Sequence, residues 1–400
     1  MTRRLLVGSA VALVLAVAAC GSFFTLDRPM PPSSARSGMP RSGVTPSLLA
    51  EPVQRALLAR EFRGIYVSAW TAGVDRFHDL VDLVDMTPLN GLVIDVKDSS
   101  GKVGYASRVP LVAEIGAHER RIPDLDGILR TCRERGIHTV ARIAVFQDPV
   151  LARARPQWAV KSTRGGIWKD QKGLSWVDPA APEVWAYNLA LAKEAAALGF
   201  DEVQFDYVRF PTDGKLATIS YPVYRPDVPK YEVIRRFFAY LDQGLKPVNV
   251  LVSADVFGQT VLAQDDLEIG QRLEDIAPYV DFVCPMIYPS HFAPGHLGLK
   301  NPAAEPYRVI FDSCRRGIQR LEGKRARLRP WLQDFKLGGA YDAAMVRDQI
   351  QAARDAGTFG FALWNARNHY TSEAYQGPLP EPRPQPPVAA TPVKSATGKL

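Results

Sequence analysis

Near the middle of the chain stands VQFDYVRFP, residues 203–211, a run that opens like a buried strand and then carries Asp206 and Arg209. A second run, VLVSADVFG, places Asp255 after small and β-branched residues, with Gly258 expected to supply a sharp turn. Polar side chains close other apolar runs in the same way. They are Asp95, Lys97 and Asp98 in GLVIDVKD, Tyr288 in DFVCPMIY, Gln333 and Asp334 in ARLRPWLQDF, and Trp364 and Asn365 in TFGFALWN. Two carboxylates facing one another across a single bond can divide the hydrolysis of a glycosidic linkage. One attacks or stabilises an oxocarbenium-like centre while the other protonates the leaving oxygen. Crowding of like charges raises the pKa of one of them and keeps it protonated. A separation of about 5–5.5 Å would give retention and about 6.5–9.5 Å inversion, and both stay open at this point.

Such a pair needs elements that bring it together. Short β-branched or aromatic runs fall at 62–69, 91–98, 138–146, 202–210, 249–257, 281–288, 326–335 and 358–365. Helical patterns alternate with them at about 74–86, 124–135, 182–198, 230–244, 266–277, 304–320 and 342–356. Pro182 with Glu183 suits a first helical turn, and Gly136, Gly199 and Gly357 sit where helices should stop. Eight strands with a helix between each pair predict a single-domain α/β fold, the (β/α)8 TIM barrel, because closure removes both sheet edges. The alternative is an open doubly wound sheet. It fits less well because SAWTAG, with no Gly-rich phosphate turn, follows the first strand.

Barrel active sites lie at the C-terminal ends of the strands, which is where the polar residues above fall. Alternation puts Gln204 and Asp206 inward and Val203, Phe205 and Tyr207 toward the helices. Arg209 then emerges at the rim on the opposite parity unless the strand has already bent. The structural alternative is a rim ion pair between Asp206 and either Arg209 or Lys97. Sugars stack apolar C–H faces on aromatic rings, so Trp70, Trp176 and Trp364 near the expected mouth join Asp95, Lys97, Arg209, Tyr288, Gln333 and Asp334 as candidate substrate-binding residues. Trp158 and Trp168 share the 147–181 loop with Trp176, while Trp185 in the following helix reads as core.

FDYVRFP, WVDPAAPEVW, VIDVKD, SADVFG, CPMIYPS and PWLQDF together resemble a glycoside hydrolase-like domain of unknown function from bacterial secreted proteins and lipoproteins, over about residues 62–370. That domain is distantly similar to the α-amylase and α-galactosidase barrels. The resemblance implies that Asp206, at the end of the fourth strand, is the nucleophile. It makes Asp255 the nearest positional match to the acid/base, a role often held by Glu in those relatives.

The chain ends read differently. Arg3 and Arg4 precede LLVGSAVALVLAVAA, which is shorter than a spanning helix and runs into small residues, the pattern of a secretory signal. VAAC followed by Gly21 resembles a bacterial lipobox, which implies acylation of Cys20; an ordinary signal peptide or an uncleaved anchor is the alternative. The expected organisation is a lipoprotein signal at 1–20, a tether at 21–60, the barrel at 61–376 and a flexible Pro-rich tail at 377–400. Gly21 is not the Asp that often marks inner-membrane retention, so the expected location is the cell envelope with the outer membrane or periplasmic side preferred.

Cys132, Cys284 and Cys314 lack CxxC spacing and read as small buried hydrophobes, with one disulfide open in an oxidising compartment. A net charge of +7 without polybasic runs and interleaved aromatics gives no reason to expect nucleic acid as a partner. His291 and His296, five apart without a nearby carboxylate pair, are a poor metal set and read as exposed loop histidines. No metal or other cofactor is expected; the partners are a glycan and, through the lipid, a membrane.

Two function classes follow. One is an envelope glycoside hydrolase acting on a polysaccharide through Asp206 and Asp255. The other is a non-catalytic carbohydrate-binding lipoprotein on the same scaffold. Carboxylates much more than about 10 Å apart, or one of them locked in a buried ion pair, would speak against the first.

Overall fold

The computed structural model describes residues 60–383, so the expectations placed on 1–59 and 384–400, Cys20 and the signal among them, lie outside the described residues. Eight parallel strands form the inner ring: β1 (Phe62–Val67), β2 (Gly91–Lys97), β3 (His138–Ala144), β4 (Glu202–Asp206), β5 (Leu251–Phe257), β6 (Phe282–Met286), β7 in two pieces (Arg327–Leu328 and Trp331–Gln333) and β8 (Gly360–Trp364). Each pairs with the next in sequence. The ring closes where Phe62 registers with Gly360 and Trp331 with both Met286 and Ala362. The barrel expected from the alternation of runs is therefore the observed fold.

Helices follow the strands as α1 (Arg76–Asp85), α2 (Leu125–Glu134), α3 (Pro182–Leu198), α4 (Lys230–Leu245), the single turn α5 (Leu273–Ile276), α6 (Pro306–Leu321) and α7 (Ala343–Ala356). Their limits are chemical. Pro182 opens α3, where its missing N–H costs nothing, and Gly199 ends it at φ 102°, a left-handed cap that a side chain would oppose. Asp124 and Asp342 cap α2 and α7 by accepting from Gly127 N and Met345 N.

Alternation along each strand builds two cores. Val203 and Phe205 face outward with Ile65, Ile94, Ile143 and Ala254, and they pack under the helices with residues such as Phe237 of α4. Phe62, Tyr66, Val93, Val140, Leu251, Phe282, Cys284, Tyr288, Trp331 and Ala362 fill the barrel itself. The inward charged residues are stacked in layers. In the lower one Arg329 donates to Glu202, with Ser253 bonded to the same carboxylate and the Nε2 of His138 3.3 Å from it. The Arg329 guanidinium lies between the Phe62 and Phe282 rings at 4.4 and 4.3 Å. Burial opposes ionisation of Glu202, but Arg329 and His138 outweigh it and bring the carboxyl down to about 2.

Two backbone features depart from the expected runs. β4 ends at Asp206, because Tyr207 takes φ +54° and turns the chain away before Arg209, so parity cannot be counted through to the rim. β7 is interrupted at Arg329 and Pro330, where Pro has no N–H to give the ladder. Gly258 opens the tight turn Gly258–Val261 directly after β5, as expected, and meets a second need as well. A Cβ there would lie 2.4 Å from the carbonyl oxygen of Met286, so the close approach of two backbones requires glycine. Cys132, Cys284 and Cys314 are all buried free thiols, which leaves no disulfide among them.

Candidate active site

The upper layer of the barrel is organised by a residue that the reading of strand ends passed over. Arg142 stands in the middle of β3 with the inward parity of His138 and Val140, and only 5% of it is exposed. Its guanidinium donates through Nη1 to Asp95 of β2 and through Nη2 to Asp206 of β4, and its Nε lies 3.6 Å from Asp255 of β5. Four consecutive strands thus contribute one charged group each to a single cluster. The signal was present in HTVARIAVF, an arginine inside an otherwise apolar strand, and the parity rule applied to Gln204 and Asp206 would have aimed it inward.

One cation among three carboxylates leaves an excess of negative charge in a buried place, so the protons cannot be shared evenly. Burial together with the neighbouring Asp206 lifts Asp255 well above the usual carboxylate range, against the pull of Arg142 and of the indole N–H of Trp331, which donates to Oδ1 at 2.7 Å. Burial also raises Asp95, which accepts from the Tyr66 hydroxyl at 2.6 Å. For Arg142 burial works against the charge, and Asp95, Asp206, Tyr66 and Asp255 more than offset it, so the guanidinium stays charged. The register that pairs Phe205 with Ala254 sets Asp206 and Asp255 side by side on neighbouring strands.

Aromatic residues form the opposite wall. Trp364 is half-buried, stacks on Tyr66 at 4.0 Å and meets Trp331 edge-on at 5.5 Å, with Arg142 5.1 Å beneath its ring. Tyr288 continues this wall, edge-on to Phe335 and His291. Burial, Asp255 and Asp206 keep its hydroxyl protonated.

The remaining candidates separate into those at the mouth and those held elsewhere. Trp70, on the short helix Ala69–Ala72, is 59% exposed and lies over the Arg121 guanidinium. Arg209 is buried between the rings of Trp176 and Phe257, each 4.7 Å away, and does not pair with Asp206 as the rim alternative supposed. Lys97 does not reach the cleft. It is fully buried, paired with Asp148 at 2.9 Å and bonded to the Ala144 carbonyl, and its ammonium approaches Tyr187 of α3. Gln333 spends both ends of its amide on the loops, accepting from Ser290 and donating to the carbonyls of Phe335 and Leu337. Asp334 accepts from Thr371 and Tyr375, anchoring the segment after β8. Trp176 is buried without exposure and donates to Asp170 at 3.0 Å, so it and the 97% buried Trp168 are core of the loop and not stacking platforms.

Nor are His291 and His296 exposed loop residues. Both are partly buried, His291 edge-on to Tyr288 and His296 stacked on Phe292, and burial lowers each to about 4. Among the described residues no group of three or more His, Cys, Asp and Glu side chains is disposed to hold a metal ion, and the centre of the acidic cluster is occupied by Arg142.

A family model described as "putative glycosyl hydrolase domain" matches residues 64–370. The chain belongs to that family. This glycosyl hydrolase family domain is similar in fold to the PgaB (BpsB) glycoside hydrolase domain of Bordetella bronchiseptica, with 16% identity, a TM-score of 0.57, and coverage of 78% of this chain and 97% of that one. It is also similar to α-L-fucosidase isoenzyme 2 from Paenibacillus thiaminolyticus, at 12% identity and TM-score 0.53 over 80% of this chain and 47% of that one. A hypothetical protein from Ruminiclostridium thermocellum is 41% identical over 48% of this chain and 97% of its own, with a TM-score of 0.45. No curated protein matches. The fold and the family together mark the domain as a glycosidase-type barrel, as the motifs implied.

Proposed function

We propose that the barrel hydrolyses glycosidic bonds of a cell-envelope or extracellular polysaccharide, with Asp206 as nucleophile and Asp255 as proton donor, while the chain is held at the membrane through lipid on Cys20. The observation that carries this reading is the Asp206–Arg142–Asp255 arrangement. Arg142 donates directly to Asp206, whereas Asp255, buried beside that carboxylate, is raised well above the usual range and keeps its proton. Neighbouring strands lie about 4.8 Å apart, so inward carboxyls at one level of β4 and β5 suit the shorter separation that goes with a covalent glycosyl intermediate and retention. The aromatic wall of Trp364 and Tyr288 offers the ring faces that a sugar requires.

Both Asp206 and Arg142 are buried, and a buried ion pair is also what a binding-only scaffold would show. The distinction lies in stoichiometry. A one-to-one lock would neutralise Asp206, but here one guanidinium serves three carboxylates and the excess charge remains. Wild type and Asp206→Asn, screened on peptidoglycan and a panel of envelope polysaccharides, decide between the readings. Catalysis predicts a loss of turnover of at least about 10³-fold with binding retained. Equal product release from the two proteins would remove Asp206 from the mechanism, and binding without release by the wild type would favour the carbohydrate-binding alternative.

A further inference from the structure

Arg209 is a buried cation that no carboxylate closes into an ion pair, although Asp206, Asp213 and Asp170 lie near enough to favour its charge. Its side chain is 95% buried, yet it forms no ion pair with any carboxylate among the described residues. Nη1 donates to the Phe210 carbonyl and the Thr212 hydroxyl, both at 3.1 Å. The nearest acids are engaged elsewhere. Asp170 takes the side chains of Gln147 and Trp176 and the backbone N–H groups of Lys172 and Leu174, and Asp213 takes that of Gln171. Nε and Nη2 of Arg209 make no hydrogen bond and keep some contact with solvent.

Burial still outweighs these charges and lowers the proton affinity of Arg209, and the faces of Trp176 and Phe257 offset only part of that cost. Those rings also fix the plane of the fork and leave an edge free. Three residues earlier is Asp206, and the left-handed turn at Tyr207 between them brings Arg209 back beside that end of β4. An unspent planar fork next to the carboxylate cluster is suited to one ligand chemistry, the bidentate capture of a second carboxylate.

We infer that Arg209 selects a glycan whose sugar, at or next to the cleaved bond, bears a carboxylate. This deepens the proposed hydrolysis and rests on the barrel mouth being a sugar site, but it concerns recognition and can stand if Asp206 proves not to be catalytic. Uronic acids and lactyl-ether amino sugars share this chemistry, and the arms of the test tell them apart.

The experiment measures binding of the full chain carrying Asp206→Asn by calorimetry. The ligands are oligogalacturonides, muramic-acid-containing peptidoglycan fragments, and the carboxyl-reduced form of each. The expected result is that one of the two acidic ligands binds and that reduction of its carboxyl weakens binding at least about tenfold. Adding Arg209→Met should produce the same loss for the acidic ligand and none for the reduced one. If reduction leaves binding unchanged, or if neither acidic ligand binds, the inference is overturned. Should Arg209→Met fail to fold, the acidic and reduced ligands on the Arg209 protein still decide. Turnover by the wild type is read separately, so binding preference without hydrolysis would sink the proposed reaction and leave this recognition intact.

Discussion

The indole N–H of Trp331 donates to Oδ1 of Asp255 at 2.7 Å, and that bond is one of the few influences that hold down the proton affinity of the candidate acid. Trp331→Phe keeps a ring in the barrel and removes the donor. A hydrogen bond to a charged group is worth about 1.5–3 kcal/mol, so the Asp255 pKa should rise by about one to two units. Because the acid must be protonated to act, the alkaline limb of the kcat/KM profile is expected to move to higher pH by that amount. A limb that stays where it is in the wild type would mean that another group gives the proton.

Arg142→Gln should leave Asp95, Asp206 and Asp255 facing one another without a cation. Breaking a buried ion pair from one side costs about 3–5 kcal/mol, and thermal or denaturant unfolding at neutral pH should show it. Loss of Arg142 raises the folded-state pKa values of Asp95 and Asp255 further above their unfolded values. The deficit should therefore shrink as pH falls through the raised values and these groups take up protons. A deficit that is constant between neutral pH and about pH 4 would show that packing, and not charge, is what Arg142 supplies.

In the lower layer the sign is opposite. Glu202 has a folded value of about 2 against an ordinary 4.5, so its contribution is complete above about pH 4.5 and is lost as pH falls toward 2. The shift corresponds to about 3 kcal/mol. Glu202→Gln should flatten the fall of stability across that window, measured as the denaturant midpoint against pH, while it destabilises the protein at neutral pH by leaving Arg329 unpaired.

Trp364 and Trp176 looked equivalent as candidate stacking residues and should now behave differently. Trp364→Ala at the half-buried wall is expected to raise KM about tenfold, about 1.4 kcal/mol, with the melting temperature little changed. Trp176→Ala removes a fully buried ring and should lower stability by about 3–5 kcal/mol. Calorimetric scans beside steady-state kinetics on both variants separate the roles.

Strand and helix periodicity made most of the barrel readable, because each β run and each helix must bury one face and only closure serves eight such strands. Directions at the mouth were harder. Asp206 and Gln204 could be aimed by parity because β4 is regular up to Asp206, but the count failed at Tyr207, whose positive φ has no sequence marker in a tyrosine. Arg142 was missed because it sits mid-strand, whereas attention went to strand ends. Lys97, Gln333 and Asp334 lie at strand ends as expected, yet Asp148, Ser290 and Thr371, distant in sequence, hold them in place. For Trp176, lying in a loop beside the mouth said nothing about which way the ring turns.

The two walls of the barrel mouth divide labour by sector. Strands β2 to β5 are stapled by one guanidinium, while the far side, from β6 to β8, is lined by rings. A ring-shaped guest with one apolar face therefore has a handed seat, with that face against the rings and one edge toward the charges. The stapled half is preorganised and intolerant of change, so diversification of what this domain accepts is expected to run through the aromatic sector and the loops above it.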